Sequence, residues 1–167
     1  MNLLIVDDEY LVVEEVVTVT DWELLGITEI YSATNAVSAV RILNEKKIDI
    51  MICDIEMPQT DGLELSKKAK ENFPDLEIVM LTSHAEFNYV RNALRYGCYD
   101  YLLKPVMEDD IIKVMKNLVT KIERERHQAQ LQEEGIVWNQ LKPVWKEKYW
   151  EEMLRGLRDD PNRECEE

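Results

Sequence analysis

Four short apolar runs end in residues able to carry charge or donate a proton, and together they set the chemistry open to this chain. Asp54 closes the run Ile48-Asp49-Ile50-Met51-Ile52-Cys53, so a strand there delivers one carboxylate to the rim of a sheet, where it is a candidate nucleophile. Leu3-Leu4-Ile5-Val6 runs into Asp7-Asp8-Glu9, a later run ends at Thr82, and Tyr101-Leu102-Leu103 ends at Lys104. Carboxylates brought together repel one another, so a site gathering Asp7, Asp8 and Asp54 must trap a proton or bind a cation. All-oxygen ligands favour Mg²⁺ or a similarly hard ion.

The elements that position these residues follow from the rhythm of the chain. Short apolar strands alternate with amphipathic stretches to about residue 105, which predicts repeated βα units around a parallel sheet. Strands are expected near 2–7, 29–33, 48–54, 76–82 and 100–104, and helices near 9–25, 35–46, 62–72 and 84–96. Gly26, Pro58, Gly62, Pro74 and Gly97 mark the breaks. Strands one and three are almost wholly apolar, as required when helices cover both faces of a sheet. Ligands of open α/β sheets bind outside the carboxyl ends of the strands, which brings positions 7, 8, 54, 82 and 104 to one place.

With 167 residues, the chain has room for one ordinary domain and an extension. Its 20 Lys and Arg against 34 Asp and Glu give a net charge of -14, which argues against a grip on nucleic acid or anionic membrane. Cys53 lies in a strand pattern, Cys98 before one and Cys165 in the polar tail, so reduced thiols are expected rather than a disulfide or a metal site. Met1-Asn2-Leu3 enters a strand without a basic leader, and no apolar run approaches spanning length. A soluble, cytoplasmic chain with no membrane partner is the expectation.

Beyond Pro105, Ile111, Met115, Leu118 and Ile122 recur at helical spacing, predicting a helix from about 107 to 134. The seam weakens at Glu125 and Gln132, leaving open a dimeric coiled coil or a solvated linker helix. After Gly135 a second amphipathic stretch carries Trp138, Leu141, Trp145, Tyr149, Met153 and Leu157, with Pro143 suited to its first turn. Such a stripe reads as a packing face for another segment or subunit. The acidic stretch from Arg158 to Glu167 reads as a free terminus or a domain boundary.

The order Asp7-Asp8, Asp54, Met57-Pro58 with Asp61-Gly62, Thr82-Ser83, and Tyr101 three before Lys104-Pro105 resembles the receiver domain of two-component response regulators. The resemblance covers residues 1 to 125 and leaves 126 to 167 as a helical connector. It implies a flavodoxin-like, doubly wound α/β fold with five parallel strands ordered 2-1-3-4-5 and a helical extension. It further implies that Asp54 accepts a phosphoryl group from a phosphohistidine on a sensor histidine kinase. Asp8 and Asp54 would ligate Mg²⁺ directly, Glu56 through its backbone carbonyl and Asp7 through metal-bound water. Lys104 and Thr82 would contact the phosphoryl oxygens, and Tyr101 would turn inward as the switch. Glu56 and His84 would flank the path of a hydrolytic water and tune the lifetime, and Lys104-Pro105 would be cis.

The charged helix followed by the stretch from Trp138 to Leu157 also looks like the amino-terminal part of the YesN-like regulators, which end in an AraC-type DNA-binding domain. On that likeness DNA is engaged only by a domain beyond residue 167, while a homodimer is an expected partner through the surface near Tyr101, the apolar seam from Ile111 to Ile122 or the aromatic stripe from Trp138. Two other readings stand beside it. One is a haloacid-dehalogenase-like phosphatase, although that family places an Asp where this chain has Glu56. The other is a stand-alone phosphotransfer or scaffold receiver whose tail from 126 is a docking helix.

Overall fold

The computed structural model describes residues 1–58, 61–83 and 97–132. The chain divides into two compact units, Met1–Lys121 and Ile122–Glu167.

Five parallel strands form one sheet in the order β2-β1-β3-β4-β5, with β1 Asn2–Val6, β2 Glu29–Ala33, β3 Ile50–Asp54, β4 Glu77–Thr82 and β5 Asp100–Leu103. The three inner strands explain the apolar runs: β3 and β4 are buried at every residue and β1 at all but its first. The edge strands β2 and β5 are only partly covered. Leu3, Leu4, Ile5, Ile50, Met51, Ile52, Ile78, Met80 and Leu81 are fully enclosed, each such side chain contributing about 1.5–3 kcal/mol of transfer free energy.

Helix α2, Ala36–Glu45, starts where the Asn35 side chain accepts from Ser38 N–H, and α3, Gly62–Asn72, starts where Asp61 accepts from Leu63 N–H. Both lie close to the expected ranges. The first helix does not. Instead of running to residue 25, α1 spans Tyr10–Thr18 and is followed by a separate 3₁₀ turn at Glu23–Leu25. Two local bonds end it: the buried Trp22 indole N–H donates to the carbonyls of Val16 and Val17, and Asp21 accepts from Glu23 N–H to open the next turn. Gly26 closes that turn with a φ of 81°, a conformation that favours glycine.

Residues 108–121 are helical. Ile111, Met115 and Leu118 are completely buried, so these residues of the expected dimer seam are used up within the first unit. The same i, i+4, i+7 spacing serves a helix packed on a sheet and a helix packed on a partner, which is why the pattern alone could not separate them. In the second unit, 122–132 are helical and every side chain from 123 to 132 is exposed. The predicted helix at 84–96 and the aromatic stretch from Trp138 lie outside the described residues. Cys53 and Cys98 are free and buried, as expected; Cys165 is not among the described residues. No helix among those described is long and apolar enough to cross a membrane.

Candidate functional site

Four strand ends share one rim because the sheet is parallel and in register. Pairing sets Val6 beside Cys53, Asp54 beside Leu81 and Thr82 beside Leu103. The backbone stays bonded just past the strands, with Asp7 N–H to Ala33 O at 3.1 Å, Ile55 N–H to Leu81 O at 3.0 Å and Lys104 N–H to Thr82 O at 2.9 Å. These bonds fix where the functional side chains originate. The Lys104-Pro105 peptide is cis.

Ligand oxygens of Asp7, Asp8 and Asp54 all lie within 4.8 Å of one another. Asp7, Asp54 and Thr82 are buried while Asp8 is exposed, so the cluster has one side open to water. Lys104 Nζ stands 2.6 Å from Asp7 Oδ2 and 3.1 Å from Asp54 Oδ1, bridging the two buried acids. Asp7 Oδ1 accepts from Glu9 N–H at 2.9 Å. Asp7 Oδ2 is buried and receives no directed hydrogen bond, so its approach to the ammonium is an ion pair rather than an aligned donor–acceptor contact.

Electrostatics make this rim a place where a cation is wanted. Burial pushes the Asp54 carboxyl above the ordinary aspartate value; Lys104 pulls it down, Asp7 pushes it up, the Glu56 backbone N–H pulls it down, and the net direction is upward. For Lys104, burial disfavours the ammonium, but contact with Asp7 and the charge of Asp54 outweigh it and raise its pKa. Counted as ionised, three carboxylates against one ammonium leave a surplus of two negative charges, the charge of one divalent cation. An all-oxygen donor set of three clustered carboxylates fits a hard ion such as Mg²⁺.

A family model for the response regulator receiver domain matches residues 3–116. The chain belongs to the response regulator receiver family. Among curated relatives, it is 34% identical over 124 residues to the transcriptional regulatory protein YesN of Bacillus subtilis, covering 74% of this chain and 34% of YesN. It is 32% identical over 127 residues to the response regulator SaeR of Staphylococcus aureus, covering 76% of this chain and 54% of SaeR. The chain thus spans about a third of one relative's length and about half of the other's. Among solved structures, the receiver (REC) domain of AraT, a response regulator from Geobacillus stearothermophilus, matches with a TM-score of 0.70 at 30% identity, covering 75% of this chain and 97% of that one.

Receivers are signalling domains, and they bind Mg²⁺ at an acidic pocket; this receiver carries an aspartate cluster of that kind. Membership sets aside the phosphatase alternative. Of the residues singled out from sequence, Asp7, Asp8, Asp54 and Lys104 are brought together, and Thr82 is buried at the same strand ends. The Glu56 side chain is exposed and its carboxylate is not part of the cluster; its backbone N–H reaches Asp54. Tyr101 is half-buried and packs in part against the core. His84 lies outside the described residues. Sequence reasoning missed the Glu9 and Glu56 backbone donors, which no side-chain motif can signal, and it took Gly62 as a break and a motif residue without a structural role.

Proposed function

We propose that this receiver is phosphorylated on Asp54 by a sensor histidine kinase and thereby switches an output outside the chain. The observation that carries the reading is the Lys104 ammonium bridging Asp7 and Asp54 beside the open, acid-rich rim. An Asp54 oxygen attacks phosphorus in line; the P–N bond of the phosphohistidine breaks, its electron pair returns to the imidazole, and an acyl phosphate remains on Asp54. Asp8, Asp54 and the Glu56 carbonyl, with Asp7 through water, would hold Mg²⁺, which would neutralise charge on the phosphoryl oxygens. Lys104 then leaves Asp7 for a phosphoryl oxygen, and the Thr82 hydroxyl donates to another. Those two contacts draw the loop after β4 inward and turn Tyr101 inward with it.

On this reading the protein catalyses only its own phosphorylation and dephosphorylation. The receiver occupies 1–125 and a helical connector begins at 126. Likeness to YesN supports a DNA-binding transcriptional output beyond residue 167, and the net charge of -14 supports keeping DNA contact out of this chain. A cytoplasmic location suits a partner of a kinase's phosphohistidine. Incubation with acetyl phosphate and Mg²⁺ tests the core of the proposal. One acid-stable, base-labile phosphoryl group is expected on the parent and none on Asp54→Asn; equal labelling of the two, or labelling in a chelator, refutes it.

A further inference from the structure

Gly62 opens α3 directly against the strand end that carries Asp54. A Cβ added there would stand 1.8 Å from the Asp54 carbonyl oxygen, 2.8 Å from its carbonyl carbon and 3.1 Å from Ile55 Cα. All three are backbone atoms, so no flexible side chain can swing aside. The other described glycines behave differently. Gly26 and Gly97 have φ of 81° and 78°, and a Cβ at either meets only a side-chain atom at 3.8 Å. Those two serve backbone conformation, whereas Gly62 serves close approach.

The approach holds the two successive peptides that follow the acceptor, one from each side. Gly62 N–H donates to Ile55 O at 2.9 Å, from the α3 side, and Ile55 N–H donates to Leu81 O at 3.0 Å, from the β4 side. Asp61 fixes the start of α3 by accepting from Leu63 N–H at 2.8 Å. Glu56, one residue further on, supplies a backbone N–H to the Asp54 carboxylate. The acceptor, the donor that orients it and the two peptides that join them therefore form one clamped unit.

We propose that Gly62 is a positioning residue for Asp54: its missing side chain lets α3 pack against the Asp54–Ile55 peptide and bond the Ile55–Glu56 peptide, and so keep the carboxylate beside Asp7 and Asp8. The inference rests on the acidic rim being the Mg²⁺ and phosphoryl site. Any side chain at 62 must lever the peptide and α3 apart by more than an ångström to reach ordinary contact, which carries the carboxylate off the rim while leaving the sheet intact.

Mg²⁺ alone, titrated calorimetrically into the full chain, tests this with Gly62→Ala against Gly26→Ala. The control adds backbone strain at the amino end of the strands, away from the rim. Both variants are expected to melt earlier than the parent, but Gly62→Ala should bind Mg²⁺ at least tenfold more weakly while Gly26→Ala stays within twofold. Equal affinity in parent and folded Gly62→Ala overturns the proposal. A parent that takes up no Mg²⁺ overturns the acidic-rim reading itself, and the proposal with it. Should Gly62→Ala not fold, amide exchange in the parent decides. Mg²⁺ should slow the Gly62 N–H at least tenfold more than the Gly26 N–H, which bonds Glu23 O, and equal slowing refutes the clamp.

Discussion

Lys104→Ala should destabilise the protein in a chelator and make its stability depend steeply on Mg²⁺. The ammonium sits 2.6 Å and 3.1 Å from two buried carboxylates with 12% of its own side chain exposed. Removing one partner of a buried ion pair costs about 3–5 kcal/mol, because the charge left behind is uncompensated. Here the exposed Asp8 side admits water to the abandoned acids, so the low end applies, about 3 kcal/mol, or about 9 °C in melting temperature for a chain of this size. Sign and window agree with neutral assay. The raised Lys104 pKa means its contribution is fully present below the unfolded lysine value of about 10.4 and is lost only as pH rises through the folded value. Urea melts at pH 7.5 in chelator measure the loss. Repeated with Mg²⁺ at about 100 times its Kd, the variant should recover at least about 2.7 kcal/mol, more than the parent gains, since no ammonium contests the acids. A loss under about 1 kcal/mol, or the same loss in an Asp54→Asn background, would show that the bridge does not hold the acids as argued.

Mg²⁺ affinity of the parent should fall with pH, and because burial raises the Asp54 pKa, the fall should begin above the ordinary aspartate value of about 3.9; calorimetric titrations between pH 8 and 5 check this. Trp22→Phe keeps the buried ring but removes the donor to the Val16 and Val17 carbonyls, so about 1–2 kcal/mol of stability should be lost in urea melts with Mg²⁺ affinity unchanged. Beryllofluoride, mimicking the phosphoryl group, should promote self-association through the surface near Tyr101 and not through Ile111, Met115 and Leu118, which are buried. Sedimentation with and without beryllofluoride reads the outcome, and a monomer in both removes the proposal.

The sheet was legible because its inner strands are buried on both faces and their sequences carry little else: Leu3-Leu4-Ile5-Val6 and Ile50-Met51-Ile52-Cys53 leave no alternative face to expose. Strand ends were legible for the same reason, since a charged residue stops such a run, and so the acids, Thr82 and Lys104 announced their common rim. The break in the first helix was not legible, because it depends on where the Trp22 indole N–H turns, and apolar periodicity records that Trp22 is buried without recording what its nitrogen bonds. The fate of the 111–122 seam was hidden by degeneracy, one spacing serving two partners. Gly62 was hidden by its own chemistry. A glycine announces flexibility, and only coordinates distinguish room needed for a φ angle from room needed for a neighbour's carbonyl.

Why a cation should seek one end of β4 and not the other follows from two acid–lysine clusters of opposite balance. At the amino end, Glu77 is buried with Lys121 Nζ at 2.9 Å and Lys70 Nζ at 3.3 Å, and Lys70 also donates to Leu76 O at 2.7 Å. One acid with two ammoniums has nothing to offer a further cation, and Lys121 additionally lies over the Tyr99 ring at 5.4 Å. At the carboxyl end, three acids lie together and the one ammonium bridges two of them. Both clusters set buried acids against lysines, so the count of charges makes one cluster a fastening and the other a candidate site. The fastening also constrains the switch. With its first residue tied to α3 through Lys70 and to the 108–121 helix through Lys121, β4 is poorly placed to slide under the pull on Thr82 that phosphorylation of Asp54 is proposed to exert.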